Sequence, residues 1–210
     1  YPLKSIDMRL KDEQTYPIYT YTTAVFKIQK DLSSAPLSHT VYPNEPITLE
    51  RAHDGITFRN YSYDKTLKVS DGCSIVQATV SGNDQMYYWW KSVKETGNYL
   101  EEKRKFSEKA LEIYLTKYPE LEGKIEIIDV VTPLTYERYL NTRHGSFQGF
   151  VHTAKGKSLM QKGVIKGLEN FIVSGQGIFR SGGLPPAAIT GRFSIQRICK
   201  MDKKKFIYKP

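Results

Sequence analysis

Near the C-terminus, Phe171, Ile172 and Val173 run into Ser174, Gly175 and Gln176. Ser181, Gly182, Gly183, Leu184, Pro185, Pro186, Ala187 and Ala188 follow, with Gly191 and Arg192 just beyond. This spacing predicts a buried strand, a glycine turn and a helix that starts on prolines. A short apolar run bounded by glycine suits a core strand. Gly182 and Gly183 allow positive φ or a close backbone approach. Pro185 and Pro186 fit a first helical turn, where a missing N–H costs little. A helix start of this kind carries unpaired N–H groups and partial positive charge. Its chemistry is the reception of an anion or an electron-rich carbonyl. An ordinary strand–turn–helix connection has the same spacing and is the commoner source of it, so the pattern alone favours that plainer reading.

Other chemistry-bearing residues are fewer. His144 stands between Arg143 and Gly145, and a lone histidine is usually structural. Glu137 and Arg138 look like a carboxylate–guanidinium pair, either positioning a site or simply tied to each other. Met86, Tyr87, Tyr88, Trp89 and Trp90 form an aromatic run. Such a run lines an apolar channel, touches a membrane surface, or ends a strand packed in the core. His39, His53 and His152 are scattered and lack the spacing of metal ligands. Neither a Ser-His-Asp set nor a phosphate-binding lysine loop is present in the pattern. Cys73 and Cys199 are the only cysteines. Without a Cys-x-x-Cys pair they read as buried free thiols, Cys73 in a strand-like stretch and Cys199 on the apolar side of a helix.

The elements that must position these residues follow from periodicity. Residues 1–14 are charged and read as a helical tail. Tyr16 to Gln29 alternates as a strand. Leu32 to Leu37 is a loop, and short strands are expected at His39 to Tyr42, Ile47 to Arg51 and Gly55 to Arg59. Ser74 to Val80 alternates again. Tyr99 to Tyr118 is the clearest helix, with Phe106, Ala110, Ile113 and Tyr114 on one face. Glu101 and Lys105 have the favourable i, i+4 spacing, and Pro119 ends the helix. Ile125 to Thr132 is the next strand, stopped by Pro133. Gly163 to Asn170 leads into the strand at Phe171, and Ala187 to Lys200 closes the chain as a helix with Ala188, Ile195 and Cys199 aligned. The pattern is α+β to α/β: a mixed, largely antiparallel sheet with flanking helices, then a strand–turn–helix.

Two ordered blocks carry a family resemblance. The first comprises Ser174, Gly175, Gln176, Gly182, Gly183, Leu184, Pro185, Ala187, Ala188, Gly191 and Arg192. It resembles the last FAD-contacting segment of the phytoene desaturase-like flavoproteins, a branch of the amine oxidase group. The second block runs from Val130 and Val131 through Thr132, Pro133, Leu134, Thr135, Tyr136, Glu137, Arg138 and Tyr139 to Arg143, His144, Gly145 and Ser146. It resembles that family's Thr-Pro-Leu-Thr-hydrophobic-Glu-Arg-Tyr segment and the glycine-rich piece after it. The likeness is strong over roughly residues 120–200 and a matter of pattern over 15–115. Pro186 stands where the family often has glycine. The family's opening Gly-x-Gly-x-x-Gly, which holds the FAD pyrophosphate on a helix N-terminus, has no counterpart in the chain.

The resemblance implies an FAD-dependent oxidoreductase that desaturates, saturates or isomerises an apolar, isoprenoid-type substrate. FAD is the cofactor, contacted by Gly175, Gln176, Gly182, Gly183, Leu184, Pro185, Ala187 and Ala188. Residues 1–118 would be the sheet and helix of the substrate or cap domain, and 119–210 the return to the FAD-binding domain. The missing dinucleotide-binding part would be the principal partner. The expectation is therefore a C-terminal fragment that binds FAD weakly or not at all by itself and is inactive alone; its catalytic residues are not identified.

Composition sets the outer limits. The chain has 210 residues, 40% apolar, enough for a real core. It carries 15 Tyr and 9 Phe, which favour strands and apolar pockets. The formal charge is +9, with a terminal cluster at Lys200, Lys203, Lys204 and Lys205. No nucleic-acid-binding signature accompanies that charge, so no nucleic-acid partner is expected. The alternative function is a non-catalytic, basic, aromatic-rich domain docking on a membrane surface or a protein. No run nears the ~20 apolar residues of a membrane span, and cysteine usage fits a cytoplasmic setting, peripheral to a membrane at most.

Overall fold

The computed structural model describes residues 17–43, 55–67, 69–147, 153, 163–164, 167–168, 170–178 and 183–207. The helix expected over 1–14, the strand expected over 47–51, and Gly182 lie outside the described residues. The chain divides into two compact units, one of residues 20–145 and the other of residues 1–19 with 146–210.

The larger unit is an α+β layer. Strands β1 (Thr20–Ile28), β2 (Ser38–Val41), β3 (Ile56–Asn60), β4 (Ser74–Gly82) and β5 (Ile125–Val131) form one sheet in the order β2-β3-β4-β1-β5. Every pairing is antiparallel. β1 and β4 pair over their full lengths, from Thr20 opposite Gly82 to Ile28 opposite Ser74. The register of β1 with β5 slips between Val25 and Phe26, where Ile128 is the extra residue of a bulge. β5 extends the sheet well past residue 118.

Alternation decides which face is covered. Ala24, Phe26 and Ile28 of β1, Ile56 and Phe58 of β3, and Val76, Ala78 and Val80 of β4 are buried on one face. Helices α1 (Asp84–Glu95) and α2 (Tyr99–Lys117) contribute Met86, Trp90, Phe106, Ala110, Ile113 and Tyr114 to the same cluster. Burying aromatic rings of this size, at roughly 25 cal/mol per Å² of apolar surface, supplies most of the drive for the layer. Trp90 donates its indole N–H to Thr22 Oγ1 at 2.8 Å, so the buried ring brings no orphaned donor. On the other face Tyr21, Val25 and Lys27 of β1 and Ile75, Gln77 and Thr79 of β4 are only half-buried.

In the larger unit two elements depart from the sequence expectation. Met86 to Trp90 is not a strand end but part of helix α1. Asn83 caps that helix, its side chain accepting the Gln85 N–H at 2.9 Å. Pro133 does not merely stop β5; it opens helix α3 (Pro133–Leu140) at a position that tolerates proline. Thr132 and Thr135 form a capping box there, and the Thr132 hydroxyl also meets the Tyr99 phenol at 2.8 Å.

In the smaller unit, helix α4 spans Leu184–Met201. The core strand expected at Phe171 is not formed. Val164 and Ile172 make one isolated bridge, and Phe171 is 50% exposed. Cys199 is half-buried on α4 rather than sealed, and Cys73 is half-buried in a turn ahead of β4; both are free thiols. Ala188 and Ile195 are exposed, so the apolar stripe of α4 is not buried among the described residues. No described helix is long and apolar enough to cross a membrane.

Candidate functional site

The C-terminal turn is built as a small hydrogen-bonded unit. Gly183 precedes α4 with φ of 90° and ψ of 179°, a conformation closed to residues with a Cβ. Gln176, in a 3-10 turn over Gln176–Ile178, reaches across and accepts the Gly183 N–H on Oε1 at 2.9 Å. Thr190 joins both ends. Its Oγ1 accepts the Gly175 N–H at 2.8 Å and donates to the Ala187 carbonyl at 2.7 Å. Thr190 is 3% exposed and was not among the expected site residues. Its signal was a hydroxyl three residues after Ala187, the spacing at which Ser and Thr bond back to a helical carbonyl.

The helix start donates little. Pro185 and Pro186 carry no N–H, the Gly183 N–H is taken by Gln176, and the Ala187 N–H goes to the Gly183 carbonyl at 3.1 Å. Leu184 is left to offer an N–H, together with the partial positive charge of the helix end. Its side chain is 87% exposed. A Cβ built at Gly175, Gly183 or Gly191 meets nothing within 4 Å. Gly175 and Gly183 need glycine for their φ of 124° and 90°, whereas Gly191 is helical and needs it for no contact with a described residue. The structure thus brings Gly175, Gln176, Gly183, Ala187 and Thr190 into one unit, with Leu184, Pro185 and Ala188 on its solvent side.

The second block gathers titratable groups at one end of the larger unit. Asp84, the first residue of α1, has a side chain only 4% exposed. His144 Nδ1 lies 2.8 Å from Asp84 Oδ1, and Arg143 Nη2 lies 3.8 Å from the same oxygen. The His144 ring stacks on Tyr87 at 4.4 Å and meets Tyr88 edge-on at 5.1 Å. His144 holds φ of 51°, uncommon for a residue with a Cβ. Gly145 follows at φ 67°, where a Cβ would collide with the Pro133 carbonyl, and its own carbonyl accepts the Thr20 hydroxyl at 2.9 Å. The loop is therefore pinned on both sides, and His144 has little choice of conformation.

Glu137 and Arg138 do not pair. Glu137 Oε2 accepts the Tyr87 O–H at 2.9 Å, while Arg138 lies 5.6 Å from the centre of the Tyr139 ring. Burial first, and then the Glu137 carboxylate, push the Tyr87 phenol up to about 12, so it remains a neutral donor. Burial likewise raises Tyr136, on the same helix. The Asp84–His144 contact spans 60 residues and the Tyr87–Glu137 contact 50. Neither has a signal in sequence spacing. Among the described residues no group of His, Cys, Asp and Glu is arranged to hold a metal ion. Comparison with protein-family models and with curated proteins finds no match for this chain.

Proposed function

We propose that this chain supplies the substrate-side sheet domain and the last flavin-contacting segment of an FAD-dependent oxidoreductase similar to the phytoene desaturase-like flavoproteins. Its substrate would be apolar. The observation that carries this proposal is the open space in front of Gly175, Gly183 and Gly191. A glycine inside a helix costs about 1 kcal/mol relative to alanine, and no described residue fills the space that Gly191 leaves. A flat ring laid against the turn would need that space. The fit extends to charge, since the start of α4 presents the Leu184 N–H and the positive end of the helix dipole.

Bound flavin would accept the two electrons of the reaction. The chain's own part is positional. Gln176 and Thr190 hold the turn rigid, and rigidity is what lets a dipole act without reorganising as charge develops. Leu184, Ile189 and Phe193, exposed along α4, suit contact with the dinucleotide-binding part of the parent enzyme. The half-buried residues Tyr21, Val25, Ile75 and Thr79 of the sheet suit an apolar substrate.

The test is the visible spectrum of the chain expressed together with the coding sequence upstream of it. Flavin absorption near equimolar with protein is expected, and Gly191→Leu, at a helical position that accepts a side chain, should abolish it while leaving the circular dichroism unchanged. A folded, colourless extended protein would overturn the proposal. The 210-residue chain alone should bind added FAD weakly or not at all. Micromolar binding would refute the division of the site between two parts of one enzyme.

A further inference from the structure

Helices α1 and α3 border an open cleft of about 610 Å³. That volume suits an organic molecule rather than a bare ion. Tyr87 and Leu134 supply its apolar surface, while Lys91 and Lys94 of α1 and Arg138 of α3 stand around it. Two carboxylates also line it: Glu95, and Glu137, which is occupied with the Tyr87 hydroxyl.

Four of the five cations of α2 differ from those of the cleft. Lys103 is 3.3 Å from Asp129, Arg104 is 2.7 Å from both Glu101 and Glu108, Lys105 is 2.8 Å from Glu102, and Lys109 is 3.1 Å from Glu112. Lys91, Lys94 and Arg138 have no carboxylate at ion-pair distance among the described residues. Three cations and two carboxylates therefore face this concavity, which leaves one positive charge in excess, and none of the three cations is held in an ion pair among the described residues. Uncompensated positive charge in a cleft concentrates anions there.

We infer that this cleft binds a phosphorylated amphiphile. Lys91, Lys94 and Arg138 take the phosphate, and the apolar portion lies against Tyr87 and Leu134. The planar fork of Arg138 matches two phosphate oxygens, and the two lysines add point charges. A free organic phosphate and a phospholipid headgroup share this chemistry. The inference is independent of the flavin proposal, since it uses other residues in the other unit of the chain.

The experiment titrates the 210-residue chain calorimetrically with octyl phosphate below micelle formation, and with inorganic phosphate. In parallel the chain is sedimented with phosphatidylcholine vesicles with and without phosphatidic acid. Octyl phosphate should bind at least about tenfold more tightly than inorganic phosphate, because only the former uses the apolar surface. The triple variant Lys91→Gln, Lys94→Gln, Arg138→Gln should lose at least about tenfold in affinity. The charge-matched triple variant Lys103→Gln, Lys105→Gln, Lys109→Gln on α2 should bind as the parent does. Sedimentation with phosphatidic acid vesicles that the cleft variant abolishes would assign a lipid headgroup. Octyl phosphate binding without vesicle binding would assign a free organic phosphate. The inference is overturned if octyl phosphate does not bind, if it binds no more tightly than inorganic phosphate, if the folded cleft variant binds unchanged, or if the two triple variants weaken binding equally.

Discussion

At the scale of single residues, the physical chemistry of this protein lies in side chains whose partners are remote in sequence. His39, on β2, stacks at 5.2 Å on Phe58 and lies 6.1 Å from Tyr114, and its Nε2 is buried without a hydrogen-bond partner. Burial first, and then the nearby Lys117, lower its affinity for a proton below the ordinary 6.5. The folded state therefore binds fewer protons than the unfolded chain once the pH drops below that value. Stability contributed by neutral His39 is complete above about pH 6.5 and is lost as the pH falls towards the depressed folded value. His39→Phe should flatten this part of the acid profile. Urea denaturation of both proteins between pH 7.5 and 5 reads it directly, and parallel profiles would exclude His39 as the cause. Gly145 makes a steric prediction. Its φ of 67° and its approach to the Pro133 carbonyl leave no place for a Cβ, so Gly145→Ala should cost about 3 kcal/mol in denaturant unfolding. A loss below about 1 kcal/mol would mean that the loop carrying His144 yields more readily than its contacts imply.

At the scale of elements, sequence pattern and structure agree where periodicity is long and disagree where one residue type has two uses. The face of α2 was legible because Phe106, Ala110, Ile113 and Tyr114 keep three- to four-residue spacing over about two and a half turns, and all four are buried. Helix α1 was hidden by its own aromatics, since Tyr and Trp favour strands and a contiguous run shows no period. In the structure Asn83 caps the helix and Asp84 opens it. Pro133 was read as a stop because proline ends strands, yet after a capping threonine it equally begins a helix. Phe171, Ile172 and Val173 look like a core strand, but a strand needs a ladder, and among the described residues only Val164 pairs with Ile172. Within α4, Gly191 occupies open space in a helix interior. Gly191→Ala should therefore stabilise the 210-residue chain by about 1 kcal/mol, measured by thermal or urea unfolding. In the flavin-loaded extended protein the same change should weaken flavin retention. A destabilised chain would show that Gly191 serves the chain's own packing instead.

At the scale of the whole molecule, what could be read from the sequence was whatever depends on neighbours along the chain. That includes the strands at β1, β3 and β4, the long helix α2, the glycine turn before α4 with its left-handed Gly183, and the basic charge. Each rests on local sterics, alternation or helical period, and these operate over a few residues. The order β2-β3-β4-β1-β5 brings together what no spacing encodes. Antiparallel pairing of β1 with both β4 and β5 carries α1 and α3 to one end of the sheet. There Asp84 meets His144 across 60 residues, Tyr87 meets Glu137 across 50, and three cations collect around a cleft. The glycine turn that suggests a flavin was written in residue types because its geometry is a matter of backbone freedom. The cleft and the histidine cluster were decided only by folding, because they depend on which distant side chains the sheet brings within 3 to 4 Å of one another.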